Sequence, residues 1–346
     1  TNFALKAHLP VQGLIRSTVF NHFCGGITEK DCLPNIDNMY TKNVHSILDY
    51  SVEGKETEEQ FDNAFTKTLK TINFGQERES IPYVVFKPTG FGRFALYQKI
   101  TEETALTVDE KSEWLRVVKR YYAVCKAAEE KDVPLLIDAE ESWMQGAVDN
   151  LIEELMEIYN TKKAIVFSTL QMYRHDRYAY LKELHQKAHQ KGYHIGMKIV
   201  RGAYMEKERE RAEEKGYESP ICSDKQTTDD NYNAAIIYMM EHANMALFAG
   251  THNEESSFLL MELIKKYDVQ PNDMRVWFGQ LYGMSDHISF NLAKAGYNVA
   301  KYLPFGPVRE VMPYLIRRAE ENTSVAGQTS RELNLIKTEK KRRELL

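Results

Sequence analysis

Cysteine is scarce in this chain, with four in 346 residues, at Cys24, Cys32, Cys125 and Cys222. Their spacings form neither a CxxC pair nor a finger-type ligand set, so the expectation is free thiols, no disulfide and no structural zinc. The ten histidines contain no HExxH. His185 and His189, at i and i+4 among lysines and glutamines, read as a solvated helix face rather than a metal site. No apolar run reaches the ~18 residues needed to cross a bilayer, and no signal-peptide pattern opens the chain. The expectation is a soluble protein, at most peripheral to a membrane, and the start at Thr1 leaves room for a removed targeting segment. A basic excess is also missing: the net charge of −5 excludes a general nucleic-acid binder, because counterion release requires a concentrated cationic surface.

What is present is the composition of an ordinary globular protein, 43% hydrophobic and 27% charged. From about residue 44 a rhythm begins. Short apolar runs fall at 46–51, 83–87, 133–138, 164–171, 194–201, 245–251, 276–281 and 298–302. Helical periods lie between them at 57–78, 107–131, 143–160, 173–191, 227–243, 254–267 and 285–295, with a further helix after Pro307. Parallel strands joined by right-handed helical crossovers close most economically, at eight units, into a (β/α)8 TIM barrel. An open doubly wound sheet is the alternative, weakened because no strand is followed by GxGxxG or GxxxxGK[ST]. The expected organisation is a helical and loop extension over 1–43, the barrel over 44–325 and a basic tail over 326–346.

Chemistry in such a barrel collects at the C-terminal strand ends. Those ends carry Asp49, Lys87, Asp138, Gln171, Lys198 with Arg201, Thr251-His252-Asn253, Gln280-Leu281 and Tyr302. Lys87 and Lys198 have the setting of Schiff-base lysines and equally of ion-pair partners. Asp138-Ala139-Glu140-Glu141 offers paired carboxylates and equally helix caps. Lys198 and Arg201 are three apart, so both reach one ligand only if Arg201 has already left the strand. After the last strand, Tyr314, Arg317, Arg318 and Glu321 fall at i, i+3, i+4 and i+7 and share one helical face. Two planar guanidiniums pointing the same way suit bidentate capture of a carboxylate or phosphate. The residues alone therefore indicate a barrel enzyme for a small carboxylate with a phosphorylated cofactor.

The runs Lys87-Pro88-Thr89, Leu136-Ile137-Asp138-Ala139-Glu140, Gln171-Met172-Tyr173, Lys198 to Glu208, Thr251-His252-Asn253, Gln280 to Met284 and Tyr302 to Asn322, in this order, resemble the proline dehydrogenase family. Leu48-Asp49-Tyr50-Ser51-Val52-Glu53 resembles its monofunctional branch. The resemblance implies a distorted barrel holding FAD, with the last helix over the barrel mouth, and hydride transfer from C5 of L-proline to flavin N5 to give Δ1-pyrroline-5-carboxylate. By position it implies Lys87 and Asp138 as catalytic residues, and Lys87, Arg317 and Arg318 on the proline carboxylate. Tyr204, Leu281, Tyr302 and Tyr314 would pack around the ring, with Glu321 holding the arginines. The implied flavin contacts are Asp138, Gln171, Lys198, Arg201, Gly202, Ala203, Thr227, Thr251, His252 and Asn253. Lys198 departs from the arginine of the bifunctional relatives.

The resemblance also implies a membrane quinone as acceptor and functional coupling to a pyrroline-5-carboxylate dehydrogenase. Peripheral membrane contact would run through the stretch from Leu9 to Phe23 or the basic tail from Lys337 to Arg343, at the cytoplasmic membrane or on the mitochondrial matrix side. No metal is expected. Hydroxyproline dehydrogenase is the near alternative, and Tyr302 favours proline, since that relative carries a small residue there. A Schiff-base aldolase or a non-catalytic binding barrel are the readings from other classes.

Overall fold

The computed structural model describes residues 20–51, 55–324 and 337–343, with side chains given only as far as Arg318 in the last barrel helix. Eight parallel strands close on themselves in sequence order: β1 Val44–Tyr50, β2 Tyr83–Phe86, β3 Leu135–Ile137, β4 Val166–Gln171, β5 Ile195–Val200, β6 Met245–Gly250, β7 Val276–Leu281 and β8 Val299–Phe305. Closure is made by β1 and β8, paired over their full lengths from Val44 with Val299 to Tyr50 with Phe305. The closed barrel was thus the correct choice over the open sheet.

Period-two alternation divides the side chains into two layers. Outward residues such as Val84, Leu135, Ile137, Val166 and Ile195 pack against the helices in the main apolar layer. Inward residues Ile47, Tyr83, Val85, Leu136, Phe167, Phe248, Trp277 and Ala300 fill the barrel. Tyr83 sits among Phe167, Phe248 and Trp277 in three edge-on contacts at 5.4, 5.4 and 5.5 Å. The lower barrel is therefore solid, and only the C-terminal mouth is left for chemistry.

The ring of helices is irregular at one place. A regular barrel covers β8 and β1 with the helix that follows β8. Here helix Glu29–Tyr40 takes that position, burying Cys32, Ile36 and Met39 in the same layer as Leu48, Leu303 and Phe305. Part of the expected N-terminal extension is thus barrel wall. Gly25 donates to Pro304 O at 2.8 Å and Gly306 to Gly26 O at 3.1 Å, so the chain before that helix is fastened to the end of β8. The helix after β8, Met312–Ser324, is displaced to the mouth, where Met312, Tyr314 and Leu315 pack with Phe20, Phe23, Cys24 and Met284.

Two helices, Phe94–Thr101 and Met205–Lys215, have no counterpart in the sequence reading. The first is too short for its period to stand out, and the second, MEKERERAEEK, has no apolar stripe to detect. Of the basic tail, residues 337–343 are described; 337–342 are helical and largely exposed. Residues 9–19 of the N-terminal stretch lie outside the described residues.

Candidate active site

Two residues beyond each inward-facing core position, the same alternation delivers a side chain into the mouth. Ile47 leads to Asp49, Val85 to Lys87, Leu136 to Asp138, Phe167 to Thr169 and Gln171, Trp277 to Gly279 and Leu281, and Ala300 to Tyr302. These residues line one cavity of about 600 Å³. That volume lies in the range of small-molecule and cofactor sites. Tyr314, Arg317 and Arg318 close it from the displaced helix. Arg201 follows the last residue of β5, as joint access with Lys198 requires.

Lys198 is 6% exposed and held by two partners, the Asp138 carboxylate and the Tyr302 phenol, the latter at 2.9 Å. The pairing commits this side chain to an ion pair, one of the two readings its sequence setting allowed. Burial raises the Asp49 carboxyl above its usual range, with Lys87 pulling it down and Asp138 pushing it up. Ser51 donates to Asp49 at 2.5 Å. Arg318, 8% exposed, lies with its guanidinium 5.2 Å from the centre of the Tyr314 ring.

At the other end Arg201 is pinned by Asp229 at 2.6 Å, Thr251 at 2.8 Å and Ser256 at 3.0 Å. Gly202 has φ +137, and a Cβ there would come 2.6 Å from the Tyr173 ring, so this turn requires glycine. Asn253 caps helix Glu254–Lys266, accepting from Ser256 N–H at 2.9 Å. Burial, then Lys301 and Arg318, depress His252 to about 3, so its imidazole is neutral and exchanges a hydrogen bond with Ser285 at 2.9 Å. Gln171 donates to Glu140 O at 3.0 Å, while its Oε1 is buried with no hydrogen-bond partner. A buried acceptor left over at a cavity wall fits a ligand that brings its own donor.

Of the residues that the resemblance assigned to the site, all but Thr227 and Glu321 line this cavity. Thr227 does not. Its N–H and hydroxyl both donate to Asp224, at 2.7 and 2.9 Å, within the first turn of helix Lys225–Met240, and Lys225 reaches the cavity instead. The Glu321 side chain lies outside the described residues. Asp49, Thr169, Phe248, Gln280 and Met284 line the cavity without having been assigned roles; Asp49, Thr169 and Phe248 follow from the period-two rule, whereas Gln280 shares the outward parity of Phe278 and Met284 lies beyond the strand. Glu140 also differs from its reading as a cap. It is 7% exposed and accepts from Thr89 N–H at 2.9 Å and Thr89 Oγ1 at 2.7 Å, fixing the turn after Lys87; burial raises its carboxyl to about 7. Among the described residues no cluster suited to a metal ion occurs.

Fold and site together define a (β/α)8 barrel enzyme whose mouth has cations at both ends and aromatic walls. The sequence model described as proline dehydrogenase matches residues 32–331. The chain is 37% identical to the carbapenem antibiotics biosynthesis protein CarD of Pectobacterium carotovorum subsp. carotovorum, over 99% of this chain and 89% of that protein. It is 31% identical to proline dehydrogenase 2, mitochondrial, of Arabidopsis thaliana, over 95% of this chain and 79% of that one. Among solved structures, proline utilization A of Bdellovibrio bacteriovorus inactivated by N-propargylglycine superposes with a TM-score of 0.80 at 21% identity, over 90% of this chain and 34% of that chain. This chain thus spans about a third of that larger protein, and the likeness is one of fold. The chain belongs to the proline dehydrogenase family, whose enzymes oxidise proline.

Proposed function

We propose that the chain binds FAD in the mouth cavity and oxidises L-proline to Δ1-pyrroline-5-carboxylate, with electrons passing on to a membrane quinone. The observation that carries this reading is the lining of the mouth cavity. Lys87, Arg317 and Arg318 line it together with Lys198, Arg201 and Lys225, beside the unpartnered Gln171 Oε1. A phosphorylated ring cofactor and a small carboxylate together match that set of donors.

When bound, FAD would supply the hydride acceptor for proline oxidation. Arg317, Arg318 and Lys87 hold the substrate carboxylate, the two guanidiniums by forked donors and the ammonium as a point charge. Anchoring that end fixes the ring while Tyr204, Leu281, Tyr302 and Tyr314 enclose it and exclude water. Asp138 holds Lys198 in place, so a fixed donor lines the cavity where the cofactor would sit. Gln171, Arg201, Gly202, Ala203, Thr251, His252 and Asn253 form the remaining cofactor wall. His252, being neutral, serves as a hydrogen-bonding group and does not move protons near neutral pH. Tyr302 supports proline over hydroxyproline by occupying the space a ring hydroxyl would need.

No helix among the described residues is long and apolar enough to cross a membrane; quinone access by surface contact is part of the same proposal. The exposed basic helix from Lys337 is the candidate docking element. The product would pass to a pyrroline-5-carboxylate dehydrogenase. Reconstitution with FAD followed by chemical trapping of the cyclic imine product tests the reading. One flavin per chain and imine formation from L-proline are expected, and a protein that takes up no flavin contradicts it.

A further inference from the structure

Helix Met205–Lys215 begins directly after Gly202-Ala203-Tyr204, which line the cavity, the first two on the proposed cofactor wall and Tyr204 against the proline ring, so whatever holds this helix also holds that wall. Apolar packing does not hold it. Only Glu208 and Ala212 of its eleven residues are buried, and a helix without an apolar face has no hydrophobic reason to dock. Burying a carboxylate is normally costly and needs strong compensation. Yet Glu208 is 0% exposed.

Its compensation comes from a distant element. Glu208 accepts from Ser142 N–H and from Ser142 Oγ, both at 2.6 Å. Ser142 is the first residue of helix Ser142–Tyr159, whose own N-cap residue, Glu141, makes no side-chain capping bond. A carboxylate 66 residues further along therefore caps this helix, satisfying a free N–H where the helix dipole favours negative charge. The other ties between the two helices run at the rim. Lys207 bonds Glu141 at 3.0 Å, and the Arg211 guanidinium lies 4.7 Å from the Trp143 ring centre. Lys207's side chain is 62% exposed, so that ion pair contributes little.

We propose that Glu208 is a positioning residue for the cofactor. By capping helix Ser142–Tyr159 from across the mouth, it clamps the Gly202–Tyr204 wall to the loop that follows Asp138. The two loops then form one rigid surface, and loss of the cap frees the β5 side to open. This rests on the reading that the cavity takes FAD, and it assigns how that cofactor is retained. Substrate carboxylate contacts lie on Lys87 and the displaced helix, so the clamp acts on cofactor affinity before proline affinity.

The test compares Glu208→Ala, Glu208→Gln and Ser142→Ala in the full chain. The readouts are the dissociation constant for FAD, amide hydrogen exchange of residues 203–217 in cofactor-free protein, and the KM for proline at saturating FAD. Glu208→Ala is expected to weaken FAD at least tenfold and to expose 203–217 while strand amides stay protected. Its KM should rise less than its FAD dissociation constant, because Tyr204 alone of the ring-enclosing residues lies on this wall. Glu208→Gln retains an acceptor for Ser142 N–H and a donor for Oγ, and should restore FAD affinity to within about threefold. Ser142→Ala, which removes one of the two bonds and keeps a good helix former, should give an intermediate loss and serves if Glu208→Ala does not fold. Exposure of 203–217 with unchanged FAD affinity would overturn the role, as would unchanged exchange in both alanine variants. Failure of the unmutated protein to bind FAD would instead overturn the cofactor reading itself.

Discussion

Lys198 Nζ lies 2.9 Å from the phenol oxygen of Tyr302 and 4.8 Å from the centre of its ring. One ammonium thus joins β5 to β8 across the barrel, and its pairing with Asp138 brings in β3. Removing one partner leaves a poorly solvated charge, so Lys198→Met is expected to destabilise the protein by about 3 kcal/mol. Combining it with Asp138→Asn should recover much of that loss. A urea-unfolding double-mutant cycle showing simple additivity would remove the coupling.

Arg318→Lys tests the carboxylate clamp. A point charge cannot reproduce the planar fork, so KM for proline is expected to rise by about tenfold or more while the fold is retained. Steady-state kinetics with a near-native KM would remove Arg318 from the clamp.

Two buried groups give opposite slopes of stability with pH in the cofactor-free protein. Glu140 is raised from 4.5 to about 7, so the folded state binds the extra proton, and its contribution is present below pH 4.5 and lost as pH rises towards 7. His252 is depressed from 6.5 to about 3, so its contribution is present above pH 6.5 and lost as pH falls towards 3. Glu140→Gln should therefore steepen the gain in stability between pH 5 and 7, and His252→Asn should flatten it. Thermal unfolding across that range checks both signs.

Gly283 has φ +76, and a Cβ there would lie 2.3 Å from His22 O. Gly283→Ala forces apart the 281–285 loop and the segment carrying Phe23, which packs against the helix bearing Arg317 and Arg318. The expected result is a loss of about 1–3 kcal/mol with a raised KM for proline. Chemical denaturation and kinetics measure the two effects, and an unchanged KM would separate that brace from the substrate site.

The strands and most of the site were legible because both follow from local period. Apolar runs mark the strands, and their polar ends mark the mouth; Tyr314, Arg317 and Arg318 shared one face at helical spacing. What was not legible depends on partners far along the chain. Nothing near Glu140 shows that it fastens Thr89, nor does anything near Ser142 show that its cap is Glu208. The exchange of wall positions between helix Glu29–Tyr40 and the last helix is likewise set by packing against β1 and β8. Thr227 was carried over by position, and its bonds to Asp224 keep it in the helix cap while Lys225 faces the cavity.

The most direct measurement is an anaerobic visible spectrum of the FAD-reconstituted protein, recorded before and after L-proline and then trans-4-hydroxy-L-proline. Oxidised flavin absorbs near about 450 nm. The expected result is bleaching of that band by L-proline, with little change from the hydroxylated substrate alone. A flavin band that L-proline leaves intact, or a protein that stays colourless after FAD is supplied, would contradict flavin-dependent proline oxidation at this barrel mouth.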